Sequence, residues 1–232
     1  MHRAATLLGS SVGRKVVMAA SGVALFGFVT GHMIGNLQIY IPRGPDGYAI
    51  NHYAVFLRTF LHGGGIWIAR FTMLAAVCLH IWAATMLTIE NWKARPIGYR
   101  QTRNVETTYA SRTMIWSGPI LALFVIYHIL HFTLGAVQST AFGLADGRFV
   151  EGDVYHNVVA GFQIPMVSIF YIVAMLALGL HMYHGIWSML QTLGLSHPRW
   201  NRLRFAFSTG MTLLVVTGNI SIPVAIMTGL VR

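Results

Sequence analysis

Charge is scarce in this chain. Only 9% of its 232 residues are Asp, Glu, Lys or Arg, where an ordinary soluble domain carries about 25%. With 55% hydrophobic residues and a mean hydropathy of +0.61, a water-soluble globule is excluded and the bilayer must be the solvent. Cysteine occurs once, at Cys78, which rules out an internal disulfide and a Cys-ligated iron–sulfur cluster. There is no C-x-x-C-H motif, so any haem is not attached covalently in the c-type manner. No Asp or Glu lies in the middle of an apolar run, which leaves no buried carboxylate to carry protons across a membrane.

What the chain does contain is five apolar runs, each long enough for the roughly 20 residues a membrane span requires. They cover about 16–40, 66–89, 113–137, 162–193 and 205–231. Only a helix satisfies its own backbone polar groups in lipid, so the expected fold is all-α: one transmembrane domain over 1–232, a five-helix bundle. The run near the N-terminus follows basic residues as a signal peptide does, but it is too long for a signal h-region and reads as an uncleaved helix.

The net charge of +10 does not point to nucleic acid, because the cations are distributed by loop. Arg3, Arg14 and Lys15 precede span one; Lys93, Arg95, Arg100, Arg103 and Arg112 fill the second connection; Arg199, Arg202 and Arg204 fill the fourth. The first and third connections are poor in cations, and the third sets Asp146, Glu151 and Asp153 against Arg148. By the positive-inside rule the N-terminus is cytoplasmic and the C-terminus outside.

Histidine is the anomaly inside the runs. His32, His80, His128, His131, His181 and His184 all lie at membrane depth, and an ionisable group there is a functional hypothesis by default. The 1.5 Å helical rise puts His32 about 26 Å beyond Lys15 and His128 about 24 Å beyond Arg112. His80 and His181 each lie about 15 Å from the polar residues Glu90 and Gln191 that close their helices. Two levels result, about 9 Å apart, each fed by two helices. Bis-imidazole ligation of an iron porphyrin needs this arrangement, with each ring fixed by a second hydrogen bond. Tetrahedral zinc would need its ligands gathered at one level. Depth does not separate His128 from His131, or His181 from His184, since each couple is spaced i, i+3.

Small residues crowd around His32: Ser21, Gly22, Gly27, Gly31 and Gly35. Such residues permit close helix packing, and they also leave room for a flat macrocycle. Between spans one and two, the half-apolar run Asn51-His52-Tyr53-Ala54-Val55-Phe56-Leu57-Arg58 reads as a short interfacial helix. Its His52, Tyr53 and Arg58, with His62 beyond, are candidate hydrogen-bonding groups for a quinone. Cationic or hydroxyl partners for haem propionates would come from Arg70 at one surface and Arg14, Ser21 and Arg112 at the other. An arginine in such a place more commonly snorkels to the interface.

The segments Gly31-His32-Met33-Ile34-Gly35-Asn36-Leu37-Gln38, Leu79-His80-Ile81, Asn91-Trp92-Lys93-Ala94-Arg95-Pro96, Ala110-Ser111-Arg112-Thr113-Met114, Tyr127-His128 and His181 with Gly185-Ile186-Trp187-Ser188 carry a resemblance over nearly the whole chain. It resembles the cytochrome b subunit of succinate dehydrogenases (succinate:quinone oxidoreductases) and fumarate reductases, of the five-span, dihaem kind. The resemblance implies two haem b groups, ligated by His32 with His128 at the outer level and by His80 with His181 at the inner one. It also implies a flavoprotein and an iron–sulfur subunit docked on the cytoplasmic face, a membrane quinone (menaquinone or ubiquinone), and the cytoplasmic membrane of a bacterium. The subunit would pass electrons and perform no dicarboxylate chemistry itself. Some relatives place a glutamate near the fourth-span ligand to move protons; Gly179 and Leu180 offer none here, so quinone protons are expected to exchange from the face on which the quinone site opens.

Two other functions fit parts of the pattern. The cytochrome b subunit of a hydrogenase or formate dehydrogenase is also a quinone-linked conduit. A haem-free proton-coupled transporter would use histidines too, but its expected paired broken helices or repeated halves are absent from the sequence.

Overall fold

The computed structural model describes residues 9–94, 107–138 and 149–232. Arg3, Arg95, Pro96, Arg100, Arg103, Asp146 and Arg148, used above for topology and resemblance, lie outside the described residues. Among the described residues there are helices and no strand, with one isolated bridge between Gly44 and Gly47. Seven α-helices follow in order: α1 (Ser11–Asn36), α2 (Ala49–Thr59), α3 (Gly64–Ala94), α4 (Tyr109–His128), α5 (Val154–Phe162), α6 (Pro165–Thr192) and α7 (Asn201–Met227). Five helical segments, containing α1, α3, α4, α6 and α7, are long and apolar enough to cross a membrane. Their outward faces carry Phe71, Trp116, Leu123 and Met166, each more than 60% exposed, as a lipid-facing shell requires.

Helix starts follow local chemistry. Ser10 Oγ accepts from Gly13 N–H at 3.0 Å, and Thr108 Oγ1 accepts from Ser111 N–H at 3.1 Å, each satisfying a donor that the helix cannot. The expected fourth span, 162–193, begins three residues late. Ile164 is extended (φ −84°, ψ 110°) ahead of Pro165, because a proline ring disfavours helical backbone in the residue before it. The residues upstream become the separate helix α5. The third span leaves regular α pitch earlier than expected, at His128, and continues as one wide π turn over Ile129–Thr133. The fifth ends at Met227 rather than 231.

α1, α6 and α7 pack on one another, α3 packs on α1, and α4 packs on α6. The pairs α1–α4 and α3–α6 make no extended backbone contact. Lipid tails are as apolar as the side chains, so close fit rather than the hydrophobic effect holds such helices together. Met33, Met182, Ile186 and Val215 form the centre of the three-helix core. A Cβ at Gly179 would lie 2.9 Å from Val216 Cγ2, and one at Gly218 would collide with the Met33 side chain. These glycines let α7 approach α6 and α1.

At one end of the bundle α2 and α5 form a cap. Asn51 Nδ2 donates to Asp153 Oδ1 and Tyr155 N–H donates to Asn51 Oδ1, both at 2.9 Å. The rings of Tyr48 and Tyr155 stack with centroids 3.5 Å apart. Burial and the adjacent Tyr48 push the Tyr155 phenol above its ordinary range, so it stays protonated and donates to the Arg232 carbonyl. The opposite, basic end carries Arg14, Lys15, Lys93, Arg112, Arg199, Arg202 and Arg204, where an Arg14–Glu90 ion pair joins α1 to α3.

Candidate metal centre

The two gaps between unpacked helices are bridged by imidazoles. Nearer the cap, His32 of α1 meets His128 of α4, ring centroids 5.7 Å apart and planes at 89°. Nearer the basic end, His80 of α3 meets His181 of α6, centroids 6.2 Å apart and planes at 56°. The resemblance implied the same partners as haem ligands; the structure shows them as neighbouring rings. His131 and His184, which depth alone left open, occupy other places. His131 is 1% exposed and bonded to Tyr171, and the half-buried His184 makes no ring contact across the gap.

Hydrogen bonds at Nδ1 fix the basic-end rings. Ser21 Oγ donates to the Val17 carbonyl at 2.7 Å and lies 3.2 Å from His80 Nδ1. A hydroxyl has one proton, already spent on the backbone, so His80 carries its proton on Nδ1 and donates to the serine. On the facing helix Ser117 Oγ reaches the Met114 carbonyl at 3.4 Å and His181 Nδ1 at 3.1 Å. For His80 the donation leaves Nε2 as an unprotonated lone pair, whereas the Ser117 hydroxyl lies nearer His181 Nδ1 than the Met114 carbonyl and can either donate to that ring or accept from it. Nearer the cap, His128 Nδ1 lies 3.4 Å from the Tyr171 hydroxyl, while His32 stacks on Phe28 at 5.5 Å.

Ser21 precedes His32 by eleven residues, and Ser117 precedes His128 by eleven. Three helical turns return each serine to the face of its histidine. α1 and α4 therefore each supply a ligand-type ring at one level and a hydroxyl that orients a ring at the other. Eleven residues span about 16 Å of helix, so the two imidazole pairs lie farther apart than the roughly 9 Å expected from counting in from the basic residues. The difference comes from side-chain tilt: Cβ atoms lean toward each helix's N-terminus, so in the antiparallel pair α1 and α3, Arg14 and Glu90 reach each other from different depths.

The donor sets fit two separate haem irons. Two imidazoles that shared one metal ion would have ring centres about 6 Å apart, from a bond of about 2 Å and about 1 Å more to each ring centre; the two pairs stand at 5.7 and 6.2 Å. Among the described residues no three His, Cys, Asp or Glu side chains converge, and each level holds two facing imidazoles. Of the glycines beside His32, Gly27 and Gly31 face open space, whereas Gly35 lies under the Tyr53 ring. Spacing for packing and spacing for room are thus both present, on different residues.

The remaining candidates are dispersed. Arg70 is exposed and stacks on Trp67 at 4.8 Å; Arg112 is exposed near Tyr109 at 6.0 Å. Arg14 is engaged by Glu90, and Ser21 lies against the His80 ring. His52 lines a cavity of about 350 Å³ in the cap with Arg43, Asp46, Tyr48, Asn51 and Asp153. Tyr53 instead packs on Gly35, Arg58 is exposed beside Gly152, and His62 sits in a left-handed turn (φ 55°). Of the quinone candidates, His52 is the one that lines this cavity.

Sequence reasoning missed Ser117 and Tyr171. The repeated eleven-residue Ser–His spacing could have found Ser117. Tyr171 has no such signal, since its role arises only where α6 faces α4. No known family matches the chain, and no curated protein or solved structure matches it either.

Proposed function

We propose that the chain is the membrane anchor of a succinate:quinone oxidoreductase, holding two haem b groups on His32 with His128 and on His80 with His181. The observation that carries this reading is the pair of histidine bridges across two helix gaps, at separations suited to axial ligation. The contacts of Ser21 with His80 Nδ1 and of Ser117 with His181 Nδ1 support the reading, since a ring that donates to its serine keeps Nε2 for iron. Bound haem supplies one-electron transfer between an iron–sulfur donor and a membrane quinone. The basic end, bearing Lys15, Lys93, Arg199 and Arg202, faces the cytoplasm on this reading and receives the iron–sulfur subunit and its flavoprotein. The cap faces outward, and the bacterial cytoplasmic membrane is the setting. Protons for quinone enter from the face on which its site opens.

Purification of the tagged chain from its native membrane tests this. The expected result is co-purification of a flavoprotein and an iron–sulfur subunit, with two low-spin b haems per flavin and succinate-reducible absorbance. A nickel or molybdenum subunit in their place would move the chain to a hydrogenase or formate dehydrogenase, and the absence of any b-type band would remove the haem assignment.

A further inference from the structure

The two levels differ in what stands behind their rings. At the basic end both imidazoles lean on serines. Nearer the cap, His32 has a phenyl ring stacked on it, and His128 has Tyr171. That tyrosine is 5% exposed, and its hydroxyl lies between two imidazoles, 2.9 Å from Nδ1 of His131 and 3.4 Å from Nδ1 of His128. A phenol donates once, so the chain of three groups can run in either of two directions. If Tyr171 donates to His128, that ring keeps its proton on Nε2 and cannot ligate. If Tyr171 donates to His131 and accepts from His128 Nδ1–H, Nε2 of His128 is free.

We propose, on the basis of the dihaem reading, that Tyr171 is the positioning residue for the cap-side haem, and that His131 aims the Tyr171 hydroxyl by accepting its proton. An acceptor at Nδ1–H makes the imidazole a stronger donor through Nε2 and stabilises the ferric state. The pair Tyr171–His131 thereby holds the potential of that haem below the value a bare imidazole would give. It also explains why a second histidine lies one turn beyond the ligand without reaching the gap.

Potentiometric titration of the intact complex, followed by visible absorbance, tests this. Tyr171→Phe keeps the ring and removes the acceptor; it should move one of the two one-electron waves upward by about tenfold in the reduction equilibrium, about 59 mV, and leave the other in place. Ser117→Ala should move the other wave. His131→Leu should shift the Tyr171 wave in the same direction, and His131→Gln, whose amide oxygen can accept, should restore it. Unmoved waves in Tyr171→Phe, or the same wave moved by Tyr171→Phe and Ser117→Ala, would overturn the inference. If Tyr171→Phe fails to accumulate, the two His131 variants decide: separated waves support it and superimposed waves refute it. A wild-type complex without two b haems would instead overturn the dihaem reading, and this inference with it.

Discussion

An imidazole binds a metal only through a nitrogen that has lost its proton, so hydrogen bonds at Nδ1 decide what each ring can do. Ser21 has spent its proton on the Val17 carbonyl, so the His80 ring beside it must donate. Ser21→Ala should therefore loosen the basic-end haem by roughly 10–100-fold, read as haem lost on dilution in detergent while the cap-side haem is retained. Replacing His32 or His128 by Ala should remove one and the same haem, and replacing His80 or His181 the other, each halving the haem-to-flavin ratio. His184→Leu should keep both. Should His184→Leu halve the ratio and His181→Ala not, the ligand assignment on α6 is wrong. At this scale the sequence showed which helices and depths carried imidazoles. It could not choose within the i, i+3 couples, because that choice depends on which face of α4 and α6 turns toward the gap.

Helix existence follows from apolar length, and the sequence disclosed all five long helices. Their ends did not follow, because they depend on local geometry: Pro165 forces Ile164 out of helical backbone, and the turn after His128 widens to five residues. Packing was also hidden. Glycine in α1 reads alike whether it faces Tyr53, as Gly35 does, or open space, as Gly31 does. At the contact between α6 and α7 a side chain on Gly179 would press on Val216. Gly179→Leu should cost about 1–3 kcal/mol, visible as a lowered unfolding temperature of the purified protein. Asn51 ties α2 to α5 through both of its amide atoms. Asn51→Ala should leave the Tyr155 N–H unpaired at a cost of about 1–3 kcal/mol, seen as faster amide exchange across α5 with α6 unchanged. Equal protection in both proteins would show that the Tyr48–Tyr155 stack alone holds the cap.

Five crossings would place the two chain ends on opposite sides of a bilayer, and the Lys and Arg bias predicts which side each occupies. In the described residues Arg14 and Lys15, Lys93, Arg112, and Arg199, Arg202 and Arg204 gather at one end, where the only cation of those seven in a salt bridge is Arg14. The cap end holds Arg43, Arg58, Arg70 and Arg232 more sparsely, beside Asp46, Glu151 and Asp153. Orientation is set by such Lys and Arg bias, with acidic residues contributing little. The basic end should face the cytoplasm, which also puts the His80–His181 pair nearer any cytoplasmic electron donor and the His32–His128 pair beyond it. A fluorescent-protein fusion that folds only in the cytoplasm should therefore glow when placed after residue 100 and stay dark at the C-terminus, and a periplasm-dependent phosphatase fusion should give the reverse. Bright fusions at the C-terminus would invert the bundle. The order of the two imidazole pairs relative to the donor would then invert with it, and electrons would meet the cap-side pair first.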